Sequence, residues 1–456
     1  MKSFDSYWIA RALQQSVPND SRSYQQITSD SRTAKPGSLF VALKGENSDG
    51  HQFLDQAKNQ GATGCVHLSG TKAPDGMQSF EVKDTLEAWR LLSKAWRKEF
   101  SIPVVAVAGS AGKTTSKELL AALFRGHWSN VLATEGSQNG FQGIPTTLLR
   151  LNPATEAAVI EVGIDEPGAM IQHLEIVQPD AGILTSIGPE HLEKLIDLDT
   201  VEKEEGLLFQ VLEKSGGLVA INLDDERIAN QAKNLQNAQQ ITYSLHRSAD
   251  VMGEWQPENQ RLLVRGISGT KVEFVCPLEG AHNALNLLGC IALSHALALS
   301  PEEMKEGLKS FRAPPGRSEV HSWKECKVYA DFYNSNPASV SVAIDTVTSA
   351  KVANKKVIVC LGDMLEMGAL EERLHRNLAD PILDKGIPLV FLYGPRMKYL
   401  EQELKKRGYG GSVQHFEGHE ALGDEILKHA QSGDRILIKG SRGMKMEKVW
   451  EYLRSR

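Results

Sequence analysis

The segment from Val104 to Thr115 restricts this chain more than any other. An apolar, β-branched run (Val104, Val105, Ala106, Val107, Ala108) breaks into Gly109-Ser110-Ala111-Gly112 and then Lys113-Thr114-Thr115. A helix-forming stretch, Ser116 to Phe124, follows. That order predicts a buried strand feeding a glycine loop that opens a helix. Such a loop turns its backbone N–H groups and the helix N-terminus toward an anion, while a lysine neutralises it and a threonine hydroxyl can hold Mg²⁺. The commonest form of the loop has a glycine where Val107 stands, so this is the shorter Gly-x-x-Gly-Lys-Thr-Thr version. The expected ligand is a nucleoside triphosphate, read from Gly109, Ser110, Ala111, Gly112, Lys113, Thr114 and Thr115.

A chain of 456 residues exceeds one hydrophobic core, so about two to four domains are expected. Hydrophobic content of 41% with 24% charged residues describes an ordinary soluble globular protein. A net charge of -6 argues against a nucleic-acid partner. The five cysteines (65, 276, 290, 326, 360) form no Cys-x-x-Cys pair and read as reduced thiols of a cytoplasmic protein. The start, Met1 to Trp8, has an early acid and no apolar core segment, unlike a signal peptide, and no run reaches the length of a membrane span.

About a hundred residues precede the loop. They include Pro36-Gly37 before a strand to Leu43 with alternating burial, a polar loop from Lys44 to His51, and a short helix from Phe53 to Gly61. A hinge is expected between Glu99 and Pro103. Strands then alternate with helices to Pro314: Glu156–Val162, Ala181–Ile187 and Gly217–Asn222 read as buried strands, Ser244–Pro277 as an antiparallel excursion, and Asn283–Leu299 as an apolar helix. Beyond the stiff Phe311–Arg317 turn the alternation restarts at Val328–Phe332, Lys356–Leu361, Leu389–Tyr393 and Arg435–Lys439. The expected fold is α/β in three domains: a small N-terminal α/β domain (1–100), a central parallel-sheet ATPase (101–314) and a C-terminal Rossmann-like domain (315–456).

Two further positions stand at expected strand ends, where ligands of open α/β sheets gather. Glu161 closes Ala157-Ala158-Val159-Ile160-Glu161, and His191 sits in Gly188-Pro189-Glu190-His191-Leu192-Glu193. A carboxylate and an imidazole both suit Mg²⁺ or Mn²⁺ held by few protein ligands beside substrate phosphates. Each could equally be a surface or capping residue.

Taken together with Ser29-Asp30-Ser31-Arg32, Lys44-Gly45, Asp49-Gly50-His51, Gly143-Ile144-Pro145-Thr146-Thr147, Gly280-Ala281-His282-Asn283, Pro315-Gly316-Arg317, Asp331-Phe332-Tyr333-Asn334-Ser335-Asn336-Pro337, Gly362-Asp363-Met364-Leu365-Glu366-Met367-Gly368 and Lys439-Gly440-Ser441-Arg442, these residues resemble the Mur ligase superfamily nearly end to end. Within it the pattern is most similar to members that join D-alanyl-D-alanine to UDP-N-acetylmuramoyl-tripeptide. The resemblance implies ATP-driven amide formation with Mg²⁺, through an acyl phosphate, by a protein that acts as a monomer. It implies metal contacts at Thr114, Glu161 and His191, and nucleotide contacts at Asn283, Arg317 and Asp331. It places Ser31, Arg32, Lys44 and Gly45 in the uridine-nucleotide pocket, Asn139 in the segment after the phosphate loop, and Tyr333, Asn334 and Asn336 at the dipeptide.

Three departures stand out. Relatives carry Asn-x-Asn-Asn where this chain reads Ser137-Gln138-Asn139-Gly140, and Glu-Leu-Gly-Ala-Asn where it reads Glu161-Val162-Gly163-Ile164-Asp165. In Val201-Glu202-Lys203-Glu204-Glu205-Gly206, Glu205 replaces a lysine that relatives carbamoylate to help hold a second metal. The glutamate stem is shorter by roughly 3–4 Å, so Glu205 is expected to act through water or a backbone shift. A solvated face formed by Glu202, Glu204 and Glu205 is the alternative. Other open readings are the ligase that adds the third peptide residue, and a paralogue that binds nucleotide or precursor without ligating. The first generally shows Asp-Tyr-Ala-His-x-Pro where this chain has Asp331 to Pro337, and an Asp-Asn-Pro-Arg absent here. A motor or switch ATPase lacks support, because no arginine-finger pattern accompanies the loop.

Overall fold

A computed structural model describes residues 4–45, 48–349 and 355–456. Residues 1–3 of the chain start and residues 46–47 of the polar loop lie outside the described residues. The chain divides into two compact units, the first comprising Met1–Ala106, Trp128–Gly163 and Ala169–Ala181, the second Val107–His127, Ile164–Gly168 and Gly182–Arg456.

In the first unit, Gln26–Thr28, Ser38–Val41, Gly64–Leu68 and Gln78–Val82 pair in that order as a parallel sheet. Alternating burial was the expectation for the second of these strands, yet all four of its residues are buried. It is an interior strand of a parallel sheet, and such strands are covered on both faces. Phe40 and Ala42 pack there with Leu54, Ala57 and Cys65. The helix Thr85–Arg97 starts where Asp84 accepts from the Leu86 and Glu87 N–H groups. It buries Trp89, Leu92 and Trp96, and the Trp96 indole donates to the Leu151 carbonyl at 2.9 Å. At its end Arg97, in the interior, donates to the carbonyls of Phe100, Val177 and Gln178 and pairs with Asp180. Saturating the guanidinium this way is what makes its burial tolerable. The short strands Val131–Ala133 and Ala157–Glu161 pair in parallel in the same unit.

In the second unit, the strands Ala181–Leu184, Leu218–Asn222, Gln239–Ser244, Val251–Gln256, Arg261–Arg265 and Val272–Val275 follow one another across a sheet. The expected antiparallel excursion is present in its last two pairings, while Val251–Gln256 joins its predecessor in parallel. The helix after the glycine loop starts earlier than propensity suggests, at Lys113, with left-handed Gly112 as its cap. The apolar helix Ala281–Ala296 lies against it, and the Cys290 thiol donates to the Ser116 carbonyl. A six-stranded sheet follows, in the order Glu319–Trp323, Cys326–Asp331, Arg435–Lys439, Val357–Gly362, Leu389–Tyr393 and Ser412–Phe416. Its first pairing is antiparallel and the rest are parallel. Asp331 lies beside Lys439 in register, both at carboxyl ends of central strands.

One link between helices is strained. Ile196 joins Leu192–Leu195 to Leu198–Ser215 with φ 69° and ψ -58°, closing a three-residue turn in which Asp197 N–H donates to the Leu195 carbonyl at 2.7 Å. Its side chain is 71% exposed and gains little from packing. A β-branched residue in this region is a steric outlier costing about 1–3 kcal/mol. Glycine relieves that cost and gives back about 0.5–1 kcal/mol through unfolded-state entropy. Ile196→Gly should therefore raise the calorimetric midpoint by about 1–2 °C per kcal/mol gained. An unchanged or lower midpoint would show that the turn carries no strain.

Candidate functional site

The phosphate loop is shaped by contacts that leave no room for side chains. Gly109 has φ 118°, and a Cβ there would sit 2.5 Å from the Thr185 hydroxyl; Gly112 has φ 86° and faces the Asn286 amide. The segment Thr185–Gly188 holds the loop. The Ser110 N–H donates to the Ser186 carbonyl at 2.8 Å and the Ala111 N–H to the Ser186 hydroxyl at 3.1 Å. The Gly188 N–H donates to the Ser110 hydroxyl at 2.9 Å. Thr114 and Thr115 are buried at the first turn of the helix.

Lys113 reaches from that turn to Glu190, Nζ to Oε2 3.0 Å, with both side chains nearly out of solvent. Beside this pair lies Glu205, wholly buried on the helix Leu198–Ser215. The solvated-face alternative fails here: Glu205 is 0% and Glu204 8% exposed, and Glu202 binds Arg227 and Gln231. Neither Glu205 oxygen, nor Glu190 Oε1, finds a hydrogen-bond partner among the described residues. Burial, and then the neighbouring Glu190 carboxylate, push the Glu205 carboxyl well above its ordinary value. Ionising Glu205 beside Glu190 would set one lysine against two buried carboxylates, and a cation could then balance the added charge.

His191 follows at φ 47°. Its Nδ1 is 2.6 Å from Glu366 Oε2 on the loop after the strand Val357–Gly362. This carboxylate raises the imidazole pKa and is itself held below the ordinary range by the imidazole. In the first unit, Asn139 Nδ2 donates to Glu161 Oε1 at 2.7 Å, and its carbonyl accepts from the Gly163 N–H at 2.9 Å. Substituting Gly163 would bring a Cβ to 2.9 Å from that amide. Glu161 is buried, and its N–H donates to the Thr134 hydroxyl. Among the described residues, no three His, Cys, Asp or Glu side chains converge as a protein-only metal cage requires. Within the second unit, the Thr114 hydroxyl, the His191 imidazole and the Glu190 and Glu205 carboxyls are donors of the kind that suit Mg²⁺ where phosphates and water complete the shell.

A cavity of about 640 Å³ adjoins the loop within the second unit. Ser110, Ala111, Gly112 and Thr115 line one side; Asn283 and Asn286 rise from the helix Ala281–Ala296; Arg317, Asp331, Asn334 and Asn336 come from beyond residue 314. Asn283 donates its amide to the Glu279 carbonyl at 2.7 Å, which leaves its Oδ1 as an acceptor toward the cavity. Asp331 accepts from Lys439 Nζ at 2.6 Å and from the Ser318 N–H at 3.1 Å. Burial works against its ionisation, but the Lys439 ammonium outweighs it and holds the carboxyl below the ordinary range. Enclosure drives His282, on the same wall, down to about 4, so it is neutral near pH 7.

The remaining expected residues have visible occupations. Tyr333 lies under the Arg317 guanidinium, 4.0 Å from its ring centre. Asn336 caps the helix Pro337–Thr348 by accepting from the Ser339 N–H, and Asn334 Oδ1 accepts from the Ser335 N–H. Ser31 donates to Gln56, while Arg32 is exposed and paired with Asp30. The Lys44 N–H donates to Thr85, and the Gly45 N–H to the Ser48 carbonyl. Sequence reasoning assigned no role to Glu190, Thr185, Ser186, Lys439 or Glu366. Glu190 alone had a local signal, its place between Pro189 and His191; the others are brought in by tertiary structure.

The buried carboxyl has a measurable consequence. A group whose native pKa exceeds its unfolded one takes up a proton on folding, so stability is lost as pH rises from the unfolded value toward the native one. For Glu205 that window opens near the ordinary value of 4.5. Without ligands, Glu205→Gln should gain thermal midpoint relative to wild type as pH rises from about 4.5 to 8. Parallel midpoint curves would contradict the buried, proton-binding carboxyl.

Known proteins share the domains and the fold. The Mur ligase family catalytic domain matches residues 23–123, the Mur ligase middle domain 107–294, and the Mur ligase glutamate ligase domain 316–442. The UDP-N-acetylmuramoyl-tripeptide--D-alanyl-D-alanine ligase of Escherichia coli is 32% identical over 432 residues, covering 93% of this chain and 92% of that protein. The enzyme of that name from Bacillus subtilis is 31% identical over 93% of this chain and 92% of its own length. The fold is that of crystalline MurF from Acinetobacter baumannii, with a TM-score of 0.88, 24% identity and 100% coverage of both chains. MurF ligase from Thermotoga maritima in complex with ADP has a TM-score of 0.80 at 22% identity, covering 94% of this chain and 97% of that one.

Proposed function

We propose, from the premise that this chain belongs to the Mur ligase family, that it is an ATP-dependent ligase joining D-alanyl-D-alanine to UDP-N-acetylmuramoyl-tripeptide. The observation that carries this reading is Lys113 clamped by Glu190 beside buried Glu205, next to a phosphate loop that itself lines a cavity shared with residues beyond 314. In the division we adopt, residues 1–100 take the uridine-nucleotide end, 101–314 the ATP, and 315–456 the incoming dipeptide. Of the first group, Ser31, Arg32, Lys44 and Gly45 are assigned to the uridine nucleotide, with Asn139 next along the chain. Tyr333, Asn334 and Asn336 are assigned to the dipeptide. The protein acts in the cytoplasm as a monomer; among the described residues no helix is long and apolar enough to cross a membrane.

The chemistry needs two anions to meet. The tripeptide carboxylate attacks the γ-phosphoryl group of ATP to give an acyl phosphate. The dipeptide amine then attacks that carbonyl carbon and expels phosphate. The N–H groups of Gly109 to Thr115 cradle the phosphates, and Lys113 neutralises the transferred group. Glu190 holds Lys113 extended toward that position. Mg²⁺, when bound, supplies the remaining positive charge; Thr114, Glu161 and His191 are its assigned contacts, with Glu205 serving the second metal position. Asn283 Oδ1 suits an adenine amino group, and Arg317 and Asp331 face the nucleotide from the other wall. Enclosure of the cavity shields the acyl phosphate from water.

The test is phosphate release from ATP with UDP-N-acetylmuramoyl-tripeptide, with and without D-alanyl-D-alanine, together with product mass. Release should require both substrates and yield the pentapeptide. Lys113→Ala should lower kcat by about 10²–10³-fold. Absence of release despite ATP binding would favour the non-ligating reading, and a different productive amine would move the activity to another branch of the family.

A further inference from the structure

The contact between His191 and Glu366 is built at a cost that its own strength does not repay. Both residues are non-glycine and left-handed, at φ 47° and φ 64°. Each such residue is strained and persists only where its surroundings fix it. The side chains are 31% and 56% exposed, so solvent screens the pair and it adds little stability. Stability does not account for it.

The surroundings do fix it. The loop Asp363–Gly368 is held residue by residue. The Asp363 carboxylate accepts from the Arg396 and Met397 N–H groups, at 3.2 and 2.9 Å. The Met364 N–H donates to His375 Nε2 at 3.1 Å, and His375 Nδ1 is 2.7 Å from the Glu371 carbonyl, which fixes the tautomer. The Leu365 N–H donates to the Ser441 hydroxyl at 2.9 Å. Met364 and Met367 are buried on either side, leaving Glu366 to project. Its carbonyl accepts from the Glu193 N–H at 3.3 Å, and Gly368 comes so near the Leu192 carbonyl that a Cβ would lie 3.0 Å away. A rigid bracket beyond residue 314 thus grips the turn that carries His191.

From this geometry we infer that Glu366 is a positioning residue, which holds the His191 imidazole by Nδ1 so that Nε2 is the ring nitrogen presented to a metal ion beside the phosphates. The inference rests on the metal role assigned to His191 above. A carboxylate on the far nitrogen is the usual outer partner of a metal-binding histidine, and its removal typically costs 10–100-fold in metal affinity or activity. Here the partner comes from the C-terminal part of the chain, so the packing of that part sets the histidine, and both residues that meet are left-handed.

The experiment is a double-mutant cycle in the full-length protein, His191→Ala, Glu366→Ala and both, with Glu366→Gln as the conservative variant. Two quantities are read: Mn²⁺ affinity in the presence of ADP, by electron paramagnetic resonance, and steady-state kcat and KM. Glu366→Ala should weaken Mn²⁺ and lower kcat by about 10–100-fold, with KM for the dipeptide little changed and the thermal midpoint preserved. Glu366→Gln should recover most of this, because its amide oxygen still accepts from Nδ1–H. In the His191→Ala background, removing Glu366 should add nothing further. Additive losses, or an unchanged Mn²⁺ affinity in Glu366→Ala while His191→Ala weakens it, would overturn the inference. If His191→Ala itself leaves Mn²⁺ affinity and kcat unchanged, the metal role of His191 is wrong and the inference falls with it.

Discussion

An ammonium enclosed by carboxylates organises this protein. Lys113 leaves the phosphate loop and meets Glu190 at 3.0 Å, with Glu205 buried alongside. Ionised groups in such surroundings are costly unless opposite charge arrives, and one lysine cannot balance two carboxylates. Without ligands the protein meets the cost by keeping the Glu205 carboxyl protonated well past its ordinary range. Phosphates brought against Lys113 and the loop N–H groups would add negative charge, so cations must enter with them.

The rest of the second unit serves this arrangement. Thr185 to Gly188 clamp the loop through backbone and hydroxyl hydrogen bonds, and Ser110, Ala111 and Gly112 line the cavity beside it. Gly206, two turns below Leu198, lets the helix that bears Glu205 approach Gln231, where a Cβ would lie 2.6 Å from the amide oxygen. Farther along the chain, Asp331 and Lys439 form a second buried pair at adjacent strand ends, and Arg317 covers Tyr333. Opposite charges thus face the cavity already paired, as in a site that exchanges partners when nucleotide arrives.

Much of this was legible in the chain because it rests on local rules. The strand, glycine turn and lysine of Val104 to Lys113 define one another over a few residues, and the strands that carry Glu161 and Asp331 follow from apolar runs. What was not legible depends on distance along the chain. The family pattern singles out Glu205 from the acids around it, but only the fold shows that it is wholly buried with Lys113 and Glu190 beside it. Glu366 lies 175 positions from His191, and nothing between them announces the contact. The strand Ser38–Val41 was misread in its burial, because alternation describes a half-exposed sheet and this strand is interior. Asn336 shows the reverse: its capping role is local, and any dipeptide contact must share the side chain with the helix it caps.

The central claim is that the buried acids beside Lys113 form a cation pocket. Its most direct test is anomalous diffraction from crystals grown with Mn²⁺ and a non-hydrolysable ATP analogue. The account predicts a metal peak whose coordination shell includes a Glu205 oxygen, directly at about 2.2 Å or through a single water. Metal peaks bound by the phosphates alone, with Glu205 outside every shell, would contradict it.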